Sequence, residues 1–247
     1  MTAQGTQIAR RSLAFAAAAT LAACALLVGL GLWQLQRLAW KEQLIEKVAA
    51  RAGAAPAPLP PESDWATLKP DDYEYRAVRF EGVYEHDKEA LVFRAAGGAL
   101  RQPGYFVLTP ARLASGATVI VNRGFVPLAQ RDRAAWPEPT SGTPEPISGL
   151  MRQPEPRNLF TPADDPAKGN YFTRDPALIA AHFGLPRAAP FSVDADRGPA
   201  ASGPQGGATE IAFPNNHLSY ALTWFGLALG LAGVFMVFVW QNRRALR

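Results

Sequence analysis

The sequence predicts a membrane protein in which two transmembrane helices flank one extracytoplasmic, mainly-β (α+β) domain, built as an antiparallel barrel or sandwich. Three observations carry that prediction. Two long runs, Ser12 to Gln36 and Leu218 to Trp240, contain no charged residue. At about 1.5 Å of rise per residue, each is long enough to cross a hydrocarbon core roughly 30 Å thick. Arginines stand on the outer flank of both runs, Arg10 and Arg11 before the first and Arg243, Arg244 and Arg247 after the second. Basic residues close to a span favour the cytoplasmic side, so both termini are expected there and the middle of the chain across the bilayer. Between the spans, short segments of strand period bounded by Gly and Pro outnumber helical ones.

These observations divide the chain into a cytoplasmic N-terminus (1–11), a first span (12–36), an extracytoplasmic domain (37–217), a second span (218–240) and a cytoplasmic C-terminus (241–247). The chain has 25 Lys and Arg against 21 Asp and Glu. Five of the basic residues flank the spans, which leaves 20 basic and 21 acidic residues in 37–217, a net charge of −1. The overall basicity is therefore topological and argues against a nucleic-acid partner. Cys24, the single cysteine, lies in the first apolar run, so intramolecular disulfides and thiol exchange are excluded as this chain's own chemistry. Met1, Met151 and Met236 are too scattered to build a copper site.

The first run begins as a secretory signal does, with basic residues and then an apolar stretch. Its length exceeds the roughly 7–15 residues of a signal core, which favours an uncleaved anchor. The same length, with a second span following, argues against a twin-arginine export signal. About eleven residues precede the first span, leaving no room for a mitochondrial presequence, so a bacterial inner membrane with a periplasmic domain is expected.

The helical period continues past the first span to about Val48 or Arg51, carrying Lys41, Glu42, Glu46 and Lys47 as a soluble face. Ala54 to Pro61 (AAPAPLPP) then breaks it and reads as a stiff linker. Tyr75 to Tyr84 alternates as a strand, His86 to Glu89 reads as a turn, and Ala90 to Phe93 completes an expected hairpin. Gly104 to Leu108 is a third strand closed by Pro110. Ala117 to Val126 is the most β-branched segment and hence the expected central strand. After a Pro- and Gly-rich connection from Trp136 to Pro146, Ile147 to Met151 is a further strand. Residues 153–170 are too rich in proline for regular structure and read as an ordered, clamping loop. Tyr171 to Thr173 is short and extended. Asp175 and Pro176 are an N-cap and a proline at the first helical position, Leu178, Ile179, His182 and Phe183 form one face, and Gly184 ends the helix. Phe191 to Asp194 is a strand, Asp196 to Thr209 a flexible stretch, and Glu210 to Phe213 a last extended piece.

The three histidines are His86 in a turn, His182 as a half-buried helix residue, and His217 at the start of the second span. His-Glu-x-x-His, Gly-x-Ser-x-Gly and phosphate-loop patterns are all absent, so no hydrolase or nucleotide-binding chemistry is encoded locally. The carboxylate pairs Asp71-Asp72 and Asp164-Asp165 sit in loops as solvated surface. His217 differs. It stands where the dielectric falls, with Asn215 and Asn216 before it able to cap the helix and Tyr220 and Trp224 following at i+3 and i+7. A neutral imidazole there can ligate a haem iron, with nearby arginine available to the propionates; the bland reading is an interfacial histidine among lipid headgroups.

In chain order the motifs are GLWQLQRLAWK, FEGVY, GYFVLTP, VNRGFVP, PEPRNLFTPADDPAKGNYFTRD and NNHLSYALTW. Together they resemble the surfeit-locus protein family of cytochrome c oxidase assembly factors over nearly the whole chain. Phe125 stands where that family often has Trp. The resemblance implies a non-enzymatic role in the biogenesis of haem–copper oxidases, helping haem a reach subunit I. It assigns His217 as the haem ligand, and so the metal ligand through the iron. It also implies motif roles, structural or partner-facing, for Gly31, Trp33, Gln34 and Arg37 at the end of the first span and for Gly82, Gly104, Tyr105, Asn122, Arg123 and Gly124 in the domain. Expected partners are cytochrome c oxidase subunit I, a haem a synthase and the lipid bilayer. A rival expectation is a scaffold that binds no haem and only stabilises subunit I or the synthase.

Overall fold

The computed structural model describes residues 3–97, 100–132, 142–197, 203–207 and 215–245. It forms two compact units, one of Met1–Glu46 with Ala212–Arg247 and one of Lys47–Ile211. The extended piece expected at Glu210 to Phe213, and parts of the Trp136 to Pro146 and Asp196 to Thr209 stretches, lie outside the described residues.

The first unit contains most of helix α1 (Ala3–Ala52) and all of helix α4 (His217–Ala245). Leu13–Ala52 and His217–Asn242 are long and apolar enough to cross a membrane. The two helices meet along one stripe each. Cys24 Sγ lies 3.7 Å from the Ala228 carbonyl oxygen, Gly31 lies under Phe225, and Gln34 reaches His217. Rising numbers on α1 match falling numbers on α4, so the pair is antiparallel. Small residues let the backbones approach, and Ala221 and Ala228 are accordingly buried. Leu222, Leu229 and Met236, off that stripe, are exposed, as lipid-facing side chains are.

The second unit is a closed barrel. Its strands are β1 (Ala77–Tyr84), β2 (Ala90–Arg94), β3 (Gly104–Arg112), β4 (Thr118–Pro127), β5 (Glu145–Arg152) and β6 (Ala188–Ala195). Pairing runs β1-β5-β6-β4-β3, and β3 returns to β1 through Val83–Arg112 and Tyr84–Ala111, closing five strands while β2 extends β3 outside the ring. The barrel is antiparallel except between β4 and β6, which run parallel.

β4 is the central strand, for a reason visible in its side chains. Val119 and Val121 point into the barrel core with Val78, Ile147, Met151, Phe191 and Val193. Ile120 points to a second core with Val92, Leu108, Tyr171 and Ile179, the last from helix α3 (Pro176–His182). A strand covered on both faces reads as an unbroken apolar run rather than an alternating one. α3 is capped as expected, Asp175 accepting the Ala177 and Leu178 N–H groups at 3.0 and 3.2 Å, and Gly184 ends it at φ +65°.

Several expectations change. β1 and β2 are not a hairpin: β1 pairs with β5, and β2 pairs with β3. The intervening turn is drawn away because the Glu85 N–H donates to the Pro110 carbonyl at 2.8 Å. Pro110 does not end its strand. β2 pairs with β3 only as far as Leu108 and β1 takes over at Ala111, so the proline sits in the gap between partners, where its missing N–H costs little. The AAPAPLPP segment is more than a linker. Ala57 bridges to Val78, Trp65 donates its indole N–H to Pro60 O at 3.0 Å, and the Trp65 ring packs edge-on against Phe191. Asp71 and Asp72 are exposed but not in a loop; Pro70–Tyr73 is a short helix, α2. His182 is exposed rather than half-buried, its ring lying against Phe183.

The 153–170 loop is ordered by one buried carboxylate. Asp164 accepts the Phe172 N–H at 2.5 Å and the Thr173 hydroxyl at 3.1 Å and pairs with Arg157. Burial alone would raise its pKa, but those donors outweigh it and hold the carboxyl below its ordinary value. The clamp's contribution is therefore present throughout the neutral range and is lost only as pH falls below the ordinary carboxylate range.

Candidate functional site

Of the residues singled out in the sequence, the structure brings Gln34 and His217 together. Helix α4 begins at His217, and the Asn216 carbonyl accepts the Tyr220 N–H at 3.2 Å to close the first turn. His217 Nδ1 lies 2.7 Å from Gln34 Oε1. An amide oxygen only accepts, so in this arrangement Nδ1 is the donor, and a ring that carries one proton has its lone pair on Nε2. A histidine held at one nitrogen with the other left as acceptor is the usual arrangement of a metal-ligating imidazole. Asn215 Oδ1, two residues before, is buried with no hydrogen-bond partner among the described residues. Tyr220 is exposed and Trp224 half-buried. On α1, Trp33 is exposed, and Arg37, one turn beyond Gln34, lies with its guanidinium 4.5 Å from the centre of the Trp40 ring.

Gly31 sets the approach of the two helices. A Cβ there would stand 2.5 Å from the Phe225 ring, so a larger side chain must displace that ring or separate the helices. Gly31→Leu is expected to lower the yield of a short cross-link between cysteines at 34 and 217, in a Cys24→Ser background, by several-fold. Adding Phe225→Ala is expected to restore it; an unchanged yield in Gly31→Leu means that the glycine does not control the contact.

The barrel motifs serve architecture. Gly124 has φ +126°, and a Cβ there would overlap the Gln205 carbonyl at 2.1 Å, where Gln205 and Phe125 exchange backbone hydrogen bonds of 3.1 and 3.0 Å. A Cβ on Gly104 would overlap Val126 O at 2.2 Å. Gly82 lies close beneath Ala111 and Ile147. Tyr105 packs against Phe93 and under Arg131. Arg123 lies within β4, not at its end, and is largely buried. It pairs with Glu89 at 3.2 Å and stacks on Tyr84, while Glu89 also accepts from Thr109 at 2.9 Å and lies 3.1 Å from His86 Nδ1. Asn122 accepts the Gly124 N–H through Oδ1 at 3.1 Å and donates through Nδ2 to Asp194 at 2.9 Å.

That last bond leads to a cluster the motifs did not announce. Asp194, buried on β6, receives Asn122, Arg152 at 2.9 Å and Arg174 at 3.2 Å. Arg152 continues to Glu74 at 2.9 Å and stacks on Tyr75, which holds a left-handed φ of 62°. Burial pulls the Arg174 guanidinium below its ordinary pKa despite Asp194. Burial acts on Arg152 in the same direction, but Asp194 and Glu74 prevail and raise it. Four segments are thus tied at one end of the barrel through a single carboxylate. Among the described residues no group of three or more His, Cys, Asp or Glu is placed to hold a metal ion.

Two membrane-length helices joined by a Gln–His contact, with a five-stranded barrel between them in the chain, define a membrane-anchored β-barrel protein with one oriented imidazole. Comparison with known proteins makes this specific: a profile of the SURF1 family matches residues 21–229, and the chain belongs to that family. Surfeit locus protein 1 of Xenopus tropicalis is 36% identical over 214 residues, covering 80% of this chain and 67% of the relative. The Homo sapiens protein of that name is 34% identical over 215 residues, 81% of this chain and 69% of the relative. The SURF1-like protein of Drosophila melanogaster is 35% identical over 234 residues, 87% and 73%.

Proposed function

We propose that this chain is an assembly factor for a haem–copper cytochrome c oxidase and that it holds haem a in transit to subunit I, with His217 as the iron ligand. The observation that carries this reading is the 2.7 Å contact from Gln34 Oε1 to His217 Nδ1, which leaves Nε2 as the free lone pair. Exposed Tyr220 and Trp33 supply aromatic surface for an apolar ring, and Arg37 supplies a cation for propionates. The residues present fit a haem held by one protein ligand, as suits a carrier that must surrender its cargo. The role is carriage rather than catalysis, with subunit I as acceptor and a haem a synthase as the candidate donor.

The proposed setting is a bacterial inner membrane with both termini in the cytoplasm and the barrel in the periplasm, supported by the arginines outside the two spans. A reporter active only in the periplasm is expected to be silent when fused after Arg247; activity there reverses the topology.

The experiment that tests the function is an absorption spectrum of the full chain purified from cells that make haem a. A Soret band in stoichiometric amount supports carriage. Protein that purifies free of haem, yet co-purifies with subunit I, makes the chain a scaffold instead.

A further inference from the structure

Among the described residues, the most exposed large apolar side chains of the barrel unit are adjacent. Leu159 is 99% and Phe160 93% exposed, at the tip of the 153–170 loop. Solvated apolar residues are ordinary when scattered, but here two stand together on a tip whose backbone is fixed. Asn158 Oδ1 accepts the Phe160 N–H at 2.8 Å, Thr161 Oγ1 accepts the Asn158 N–H at 3.1 Å, and the Thr161 N–H returns to the Asn158 carbonyl at 3.1 Å. Arg157 closes the base by pairing with Asp164 and donating to the Pro162 carbonyl, and Asp164 is itself bound to Phe172 and Thr173. The loop commits a buried carboxylate and a guanidinium to the base from which Leu159 and Phe160 project.

We infer that the Leu159-Phe160 tip is a wedge that enters the interfacial region of the lipid bilayer to which this chain is anchored. Size favours lipid over a protein partner. An aromatic side chain and a leucine bury a few hundred Å² at most, whereas a specific protein interface needs about 800 Å² from each side. Two side chains suffice for a domain that is already tethered, because the chain on either side of it runs into a membrane-length helix and the lipid surface is at high effective concentration. The charge around the tip is spent internally: Arg157 pairs with Asp164 and Lys168 with Asp165 at 2.9 Å. The wedge is therefore apolar in action, and its insertion is indifferent to anionic lipid and to salt.

The test uses the full chain in a Cys24→Ser background, reconstituted in phosphatidylcholine vesicles. Exposed Ala163, beside the tip, is changed to cysteine and labelled with an environment-sensitive fluorophore; exposed Asp87, in a turn of the barrel, is labelled likewise as the reference. A lipid carrying a spin label on its acyl chain is expected to quench the label at 163 and to leave that at 87 unquenched. Leu159→Ser with Phe160→Ser is expected to abolish the quenching at 163, and replacing part of the neutral lipid by phosphatidylglycerol, or raising the salt, to leave it unchanged. Equal emission and quenching at 163 and 87 overturns the proposal, as does quenching that survives the double serine variant. Quenching seen only in anionic vesicles overturns it too, since a charge-driven contact is then responsible. None of these outcomes depends on haem binding.

Discussion

Asp194→Ala is expected to cost this protein about 3–5 kcal/mol, the range found when one partner of a buried ion pair is removed and the other is left behind. The reason is the number of cations that converge on it. With the carboxylate gone, Arg174, which burial already pulls below its ordinary pKa, loses its ion-pair partner, and Arg152 keeps Glu74 as its carboxylate, with Tyr75 beside it. Asn122 loses the acceptor for its Nδ2 as well. At roughly 2–4 °C per kcal/mol for a unit of this size, the unfolding midpoint of the barrel in detergent should fall by about 6–20 °C. Replacing the pair together, as Asp194→Leu with Arg174→Met, should recover much of the loss, because no unpaired charge is then created at Arg174 while Arg152 retains Glu74. A midpoint for Asp194→Ala within about 2 °C of the wild type would mean that water reaches both guanidiniums and that the cluster does not hold the barrel closed.

That cluster was invisible in the sequence for a physical reason. Glu74, Arg152, Arg174 and Asp194 are far apart in the chain, so no local pattern reports that they meet. What could have flagged Asp194 is its place directly after Phe191-Ser192-Val193 in an expected strand: an acid continuing a buried strand needs a partner. Local signals did better where one residue decides the outcome alone. The Asp175-Pro176 start and Gly184 stop of α3 depend on neighbours a few residues away, and all three appear in the structure as read. The β-branched content of β4 marked it as the central strand, and the structure places it there. Strand pairing was another matter. β1 looked joined to β2 because the turn at His86 is short, yet closure of the barrel demands that β1 meet β5 and β3, and nothing within the hairpin reports those distant edges. Pro110 misled for a related reason, since proline is excluded from a strand only where a neighbour needs its N–H, and the exchange of partners at that point removes the need.

At the membrane helices the sequence was informative in its parts and silent on their meeting. Gln34 and His217 are 183 positions apart, and only the antiparallel packing permitted by Gly31, Ala221 and Ala228 brings them into contact. His217→Ala should abolish the haem signal of the purified chain while membrane levels stay normal. Its side chain ends a helix whose remaining apolar length still anchors it, so no buried cavity is opened. Gln34→Ala should act differently, leaving the ligand in place but freeing the ring to rotate and exchange tautomers; losses of about 10–100-fold in affinity are typical when such an outer partner is removed. Gln34→Glu restores an acceptor opposite Nδ1 and should recover binding, with a shifted Soret or redox signature because a carboxylate makes the imidazole a stronger donor. His217→Met should retain partial binding with altered potential, since a thioether also ligates haem iron. The ordering wild type, Gln34→Glu, Gln34→Ala, His217→Ala is the expected result of titrating haem a into the four proteins in detergent. If His217→Ala binds with the affinity and spectrum of the wild type, the imidazole does not ligate the iron, and the 2.7 Å contact with Gln34 is a helix-packing hydrogen bond.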